Sequence, residues 1–305
     1  MLRTLVVPLD GSELAERALP YAVRVASASG GRLVLVRAGH HAEVGEVTSY
    51  LAGVAEKVAT RVPVQTTPAF GHAAAEILDT VKRFGADEIV MATHGRTGLT
   101  HMLYGSIAEA VLAHSRVPVL LVHARPGEAA PAPFHPTSAR ILVPLDGSAF
   151  SEAALPVAVD VLGTAGELVL VCVVSPDDHV ELDERGKVVA YLDQQDKGAR
   201  GEARDYLRRI AGQLTQRDPD LHVACEVRLG DAANSIVVTQ IDRGADLVVM
   251  ATHGRTGLSR SVMGSVAGAV LRTGTTPVLL VRPTGLDGAA RPTTSKPKGP
   301  SFIVA

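Results

Sequence analysis

Aromatic residues are scarce in this chain: 3% of its 305 positions, with no Trp at all. Binding of unpaired bases usually relies on several stacking rings, so a single-strand nucleic-acid role loses its usual apparatus. No charge of either sign dominates. Thirty Lys and Arg stand against thirty-two Asp and Glu, a formal net charge of −2, so the basic footprint of a nucleic-acid or anionic-membrane binder is missing. Two cysteines, Cys172 and Cys225, make neither a disulfide framework nor a metal set and fit a reduced, cytoplasmic setting. Apolar runs such as Leu33 to Val36 fall far short of the ~20 residues a membrane span needs. Pro8-Leu9-Asp10 breaks the opening apolar stretch at once, which does not read as a secretory signal. Gly-x-x-x-x-Gly-Lys-Ser/Thr, His-Glu-x-x-His, Cys-x-x-Cys and Gly-x-Ser-x-Gly are all absent, so P-loop, zinc and hydrolase-elbow chemistries have no motif to stand on.

What the sequence does contain is a duplication. With 46% hydrophobic residues, the chain carries enough apolar material for two cores, as its length suggests. Leu5 to Ser12 (LVVPLDGS) returns as Ile141 to Ser148 (ILVPLDGS), offset by 136. Met91 to Leu99 (MATHGRTGL) recurs letter for letter as Met250 to Leu258, offset by 159. Gly105-Ser106 returns as Gly264-Ser265, and Val117-Pro118-Val119-Leu120 as Thr276-Pro277-Val278-Leu279, at that same offset of 159. The difference between the two offsets, 159 − 136 = 23, is an insertion in the middle of the second copy, placed in the polar stretch from Ser175 to about Arg204. The expected organisation is a first domain over 1–125, a Pro-rich semi-rigid linker over 126–138, a second domain over 139–283 and a flexible Pro/Gly/Thr/Lys-rich tail over 284–305.

Within the first copy, Val/Leu/Ile-rich runs predict strands at 3–8, 32–37, 62–67, 87–92 and 117–122, apolar on both faces as strands covered on both sides should be. Helices are predicted between them at about 13–28, 46–60, 72–84 and 105–114, with Ser12 as the cap of the first. Pro20 and Pro156 fall inside the first helix of each copy and predict a kink there. Alternating strands and helices imply right-handed crossovers and a parallel sheet, so each copy is an α/β doubly wound domain with helices on both faces.

Ligands of such sheets sit beyond the carboxyl ends of the strands, where strand order reverses. Two loops per copy belong there. One is Pro8-Leu9-Asp10-Gly11-Ser12, with a carboxylate that accepts hydrogen bonds; its plain alternative is a helix cap made by Asp10 and Ser12. The other is Ala92-Thr93-His94-Gly95, nine residues, then Gly105-Ser106 opening a helix whose N-terminal N–H groups favour phosphate. The same chemistry in both copies argues against a plain capped loop.

Taken together these residues resemble the universal stress protein family: the Pro-x-Asp-Gly-Ser start, the Gly/Ala-x-x-Gly, nine residues, Gly-Ser/Thr loop, and the Val-Pro-Val-Leu-Leu-Val last strand. The resemblance covers both copies and implies five-stranded parallel sheets of order 3-2-1-4-5, of the adenine-nucleotide-binding α-hydrolase-like type. It implies ATP as the ligand of each copy; Mg2+ bridging the phosphates is chemically reasonable, though the sequence shows no dedicated metal cage. Pro8, Leu9 and Asp10, with Pro144, Leu145 and Asp146, would form the adenine and ribose side, and Val36 and Val173 the apolar wall on adenine. Ala92, Gly95, Ala251 and Gly254 would line the ribose and first phosphate. Gly105, Ser106, Gly264 and Ser265, with the amides of Ile107 and Val266, would hold the outer phosphates. Apart from the resemblance, Arg96 and Arg255 follow the loop glycine, within reach of a phosphate or as plain solvated arginines. One departure is that Ala92 and Ala251 stand where the pattern prefers glycine, which narrows the backbone approach.

The resemblance also implies pairing of fifth strands, here 117–122 and 276–281, either with each other or between two chains. Unpaired edges are liabilities, and a homodimer through these strands is the expected form. A nucleotide-binding regulatory module, read by a protein partner, is the leading functional expectation, with no nucleic acid and no membrane. Alternatives are a slow ATPase using His94 and His253, and an interaction module that no longer binds nucleotide. His40-His41 as a metal pair and redox sensing by Cys172 or Cys225 are minor; both thiols are expected to be small buried core groups.

Overall fold

The computed structural model describes residues 3–39, 44–93, 105–124, 139–163, 165–175, 192–252 and 263–283. The expected linker and tail lie outside the described residues. The chain folds as two compact units: unit 1, Met1–His135 with Thr275–Arg282, and unit 2, Pro136–Gly274 with Pro283–Ala305.

Unit 1 runs β1 (Thr4–Pro8), α1 (Glu13–Glu16), α2 (Leu19–Ser29), β2 (Arg32–Gly39), α3 (Val44–Ala59), β3 (Val64–Phe70), α4 (Ala73–Phe84), β4 (Glu88–Ala92), α5 (Ser106–His114) and β5 (Val119–Val122). Its strands lie in the order β3-β2-β1-β4-β5, all parallel. Leu5, Val6 and Val7 of β1 are fully buried, as a strand covered by helices on both faces requires. On α4 the buried Ile77, Thr80 and Val81 face the sheet while Asp79 and Lys82 face water. The edge strand β3 carries Pro68, a residue that an inner strand would not tolerate.

Unit 2 repeats the plan with β6 (Arg140–Pro144), α6 (Ala149–Glu152), α7 (Ala154–Leu162), β7 (Glu167–Val174), α8 (Leu192–Arg217), β8 (His222–Leu229), α9 (Ala232–Asp242), β9 (Leu247–Ala251) and α10 (Ser265–Thr273). Its parallel strands follow the order β8-β7-β6-β9. The chain is thus an α/β protein of two tandem doubly wound domains. Part of the 23-residue insertion is visible in α8, 26 residues long against 16 for its counterpart α3.

The last strand, β10 (Val278–Val281), belongs to the second repeat in sequence but lies in unit 1, antiparallel to β5 with Leu279 opposite Leu120. The fifth strands therefore pair within one chain, and the β5 edge expected to meet a second chain is occupied. Arg282 Nη1, just past β10, donates to the carbonyl of Ala113 near the end of α5 at 2.8 Å.

Three sequence expectations need correction. Pro20 and Pro156 break the first helix of each copy rather than kink it, because a proline ring removes one N–H and collides with the carbonyl four residues back. The chain closes α1 with Arg17 N–H to Leu14 O and Ala18 N–H to Ala15 O, then restarts as α2 with Pro20 in its first turn. Cys225 is exposed rather than buried, since β8 is an edge strand with one side to water. The third correction concerns Val173 and belongs with the pocket below.

Candidate functional site

At the carboxyl end of β1 the chain is tied to β2 by Leu9 N–H donating to Val36 O at 2.8 Å, and Leu145 N–H repeats this to Val171 O at 2.8 Å. The next turn needs a left-handed residue, and Gly11 (φ +88°) and Gly147 (φ +79°) supply it. Asp10 Oδ1 accepts from Ser12 N–H at 2.9 Å and from Ser12 Oγ at 2.6 Å. Ser12 Oγ in turn caps α1 by accepting from Ala15 N–H at 3.1 Å. Asp146, Ser148 and Ser151 N–H reproduce the arrangement. The capping role of Asp10 and Ser12 is therefore real, and Asp10 also lines a cleft: one carboxylate oxygen braces the turn that presents the side chain.

The second loop begins and ends on one residue. Thr93 N–H donates to Val122 O at 2.9 Å, Thr93 O accepts from Gly105 N–H at 2.9 Å, and Thr93 Oγ1 accepts from Ala124 N–H at 3.3 Å. In the second copy Thr252 O accepts from Gly264 N–H at 2.7 Å. Both following helices start on glycine with no side-chain cap. The first helical backbone bonds come from Glu109 N–H to Gly105 O and Gly268 N–H to Gly264 O. The amides of Ser106, Ile107 and Ala108, and of Ser265, Val266 and Ala267, find no acceptor among the described residues. Free N–H groups at the positive end of a helix are the kind of donor that an anion needs. Gly105 is not required by its backbone, since φ −57° and ψ 146° suit any residue. Among the described residues a Cβ there would meet only Thr93 O, at 3.8 Å. What a side chain would fill is the space in front of the helix.

That space is part of a cleft of about 260 Å³ beyond the carboxyl ends of β1, β2 and β4. Pro8, Leu9, Asp10, Val36, Ala92, Gly105, Ser106 and Ile107, all singled out from sequence, line it together. Ala15, Ala38, Ala73, Ile77, Met91, Thr93 and Ala108 complete the lining and were not singled out. Ala38 follows from the two-residue period of a strand once Val36 is placed. Ala73 and Ile77, four apart on α4, become legible only when that helix is known to cover the same side of the sheet. The lining is apolar at Val36, Ala38, Ile77 and Met91 and polar at Asp10, Thr93 and Ser106. Ile107 is 40% exposed, an uncommon position for a large aliphatic side chain, at the cleft wall.

In unit 2, Pro144, Leu145, Asp146, Ala251, Gly264, Ser265 and Val266 occupy the same local structures as their first-copy counterparts. Val173 does not correspond to Val36. The ladders set Val36 opposite Pro8 and Val171 opposite Pro144, so Val171 is the counterpart of Val36, and Val173 that of Ala38. Counting from the strand end misplaced it by one pleat, on the same face. Gly95, Arg96, Gly254, Arg255, His94, His253, His40 and His41 lie outside the described residues.

Behind the first cleft the buried Arg37 donates from Nη2 to Glu46 Oε1 at 3.0 Å, with its Cζ 4.9 Å from the Tyr50 ring centre. Tyr50 Oη donates to Glu16 Oε1 at 3.1 Å, and Tyr206 Oη repeats this to Glu152 Oε1 at 3.0 Å. Burial, followed by the adjacent glutamate, pushes both phenols well above their usual range. Cys172 stands where Arg37 does, and burial, then the charge of Asp146, pushes its thiol up to about 12.

Fold and cleft define a tandem doubly wound α/β protein with a cleft beyond the carboxyl ends of the strands of its first unit. The chain belongs to the universal stress protein family, whose model matches residues 1–123 and 138–282. A universal stress protein of Mycobacterium tuberculosis is 33% identical over 198 residues, 65% of this chain and 62% of the relative. One from Mycolicibacterium smegmatis is 28% identical over 220 residues, 72% of this chain and 69% of the relative. The match thus spans less than two thirds of the first relative's length. The crystal structure of a universal stress protein from Archaeoglobus fulgidus shares the fold at a TM-score of 0.65, with 20% identity over 92% of this chain and 96% of that one. A Pseudomonas aeruginosa structure, described as a putative member, gives 0.63, at 20% identity over 92% and 94%. No described helix is long and apolar enough to cross a membrane.

Proposed function

We propose that this chain is an adenine-nucleotide-binding regulatory module of the stress response, holding ATP with Mg2+ and acting in the cytoplasm through a protein partner that reads the loaded state. The observation that carries the reading is one cleft lined both by the apolar Val36, Ala38, Ile77 and Met91 and by the uncapped start of α5, where the amides of Ser106, Ile107 and Ala108 find no acceptor among the described residues. A purine suits the apolar lining, a polyphosphate suits the amides, and the Asp10 carboxylate in the same lining suits ribose hydroxyls. The glycine at 105 leaves open the room that the phosphates would take. Bound Mg2+ would neutralise phosphate charge that the lining, which has no Lys or Arg among its described residues, does not. Asp10 is also the only ionisable side chain among those lining residues, and its Oδ1 is committed to Ser12. This favours holding a nucleotide over rapid hydrolysis, which calls for a placed general base. With the β5 edge carrying β10, a homodimer of this chain would use other surfaces.

The test is release of bound ligand. Freshly purified protein, heated and cleared, should yield adenine nucleotide on anion-exchange chromatography, or the emptied protein should take up added Mg-ATP by calorimetry. Absence of both release and uptake would overturn the reading.

A further inference from the structure

The two repeats end their sheets differently. β3 is the edge strand of the first unit and β8 that of the second, each with one strand neighbour among the described residues. Gly230 N–H donates to Val174 O of β7 at 3.0 Å, so the alternation of a strand turns the main-chain groups of Val223, Cys225, Val227 and Leu229 away from β7. Pro68 of β3 lies opposite Arg37, and Val227 of β8 lies opposite Cys172, the counterpart of Arg37. The first repeat thus carries a proline, which blocks pairing at an edge, where the second offers an N–H. Beside this edge runs α8, whose Arg200, Arg204 and Arg208 are all exposed and lie one turn apart within an arc of about 80°. Of the three, only Arg208 meets a carboxylate among the described residues, the exposed Asp205 at 3.7 Å. Burial raises the Cys225 thiol and the charge of Arg208 pulls it back, so this stripe lies toward β8. The same positions of α3, counted from the matching Tyr50 and Tyr206, hold Val44, Thr48 and Ala52. The other face of β8 meets the end of α9, where Arg228 Nη2 donates to Asp242 Oδ2 at 2.7 Å. There α9 turns Val238 and Ile241 to water at positions that α4 fills with Asp79 and Lys82.

We infer that the β8 edge is a docking site for an extended acidic segment of a protein partner, which joins the sheet as an added strand and sets its carboxylates against Arg200, Arg204 and Arg208. The spacing fits. Successive arginines of the stripe rise about 6 Å along the helix, and alternate side chains of a strand repeat at about 6.7 Å. Since α8 leads from β7 into its parallel neighbour β8, it runs antiparallel to both. Every second residue of an added strand therefore passes one arginine, and the residues between them face the side of Val238 and Ile241. Main-chain hydrogen bonds supply the affinity of such a contact, and the alternate side chains supply its choice of partner. A second copy of this chain is the poorer occupant. Antiparallel pairing of two β8 edges about a two-fold axis would set both α8 helices on one face and bring like charges together. This goes beyond nucleotide binding: it gives the module a surface for its partner and stands whether or not the cleft is loaded.

Fluorescence anisotropy on the full chain tests this, with a labelled peptide of alternating Val and Glu about nine residues long, enough to span β8. The peptide should bind, and the same peptide with Lys in place of Glu should not. Arg204→Ser combined with Arg208→Ser should weaken binding about tenfold or more. N-methylation of the alternate peptide amides that face β8 should abolish binding, and methylation of the other set should leave it. Val227→Pro, which copies Pro68 of the first repeat, should also abolish it. If that variant fails to fold, the arginine pair on the helix surface and the methylated peptides, which leave β8 intact, still decide. No binding, equal binding of the Lys peptide, or binding that neither the arginines nor methylation alter would overturn the inference. So would a dimer in sedimentation that Val227→Pro dissolves, because the edge would then belong to a second copy. None of these results depends on nucleotide release from the cleft, so the two readings fail separately.

Discussion

Replacing both Gly105 and Gly264 with glutamate should separate folding from ligand binding. Both glycines have extended φ and ψ that any residue adopts, −57° and 146° for Gly105 and −61° and 153° for Gly264. At Gly105 an added Cβ meets nothing among the described residues closer than Thr93 O at 3.8 Å. A carboxylate at a helix start gains about 0.3–1 kcal/mol from the dipole, so the ligand-free melting temperature should move by less than about 4 °C. Binding should respond very differently. A glutamate charge about 4 Å from one phosphate charge costs about 4 kcal/mol at an effective dielectric near 20, close to a thousandfold in affinity. Titration calorimetry with Mg-ATP and a circular dichroism melt, on the same samples, give both quantities. A variant that melts like the native chain and binds with unchanged Kd would place the phosphates elsewhere and refute the reasoning.

Two further outcomes follow from buried groups. Of the two thiols, exposed Cys225 should react with Ellman's reagent in the native chain and buried Cys172 only after unfolding; two rapid native reactions would contradict the burial of β7. Glu88, buried at the start of β4, has its carboxyl pushed up to about 7 by burial, with Arg3 at 3.4 Å pulling the other way and Asp87 adding to the rise. Its folded pKa lies above the ordinary 4.5, so the stability tied to the neutral form is fully present below that value and is lost as pH rises through about 7. Glu88→Gln should therefore gain in melting temperature relative to the native chain between pH 5 and 8, and a difference independent of pH would sink this account.

Much of the fold was legible because the signals were local and repeated. Runs such as Leu5-Val6-Val7 and Ile89-Val90-Met91 can hardly be anything but doubly covered strands, and the capping residues Ser12 and Ser148 mark where the first helix of each copy starts. The loops of the site were legible for the same reason, each being a short motif written twice. What escaped depends on partners distant in sequence. The exposure of Cys225 follows from β8 having one neighbour, which no run of residues announces. Register decides that Val173 answers to Ala38, and register is a property of two strands. Ile77 and Ala73 enter the cleft through the crossover of α4, so the apolar lining of the pocket was underestimated. Pro20 was noticed, but whether a proline bends or severs a helix depends on how the surrounding chain can satisfy its carbonyls.

Consider what β10 means for a chain emerging from a ribosome. The sheet of unit 1 is completed by residues made about 160 positions after its own fifth strand, since Leu120 waits for Leu279. Until then the bare side of Val119 to Val122 offers backbone donors and acceptors to any neighbouring nascent chain. A stop codon or protease cut before Val278 would make that interval permanent. Early termination late in the second repeat should thus harm the first repeat, the part already synthesised, and turn a lost tail segment into an aggregating product.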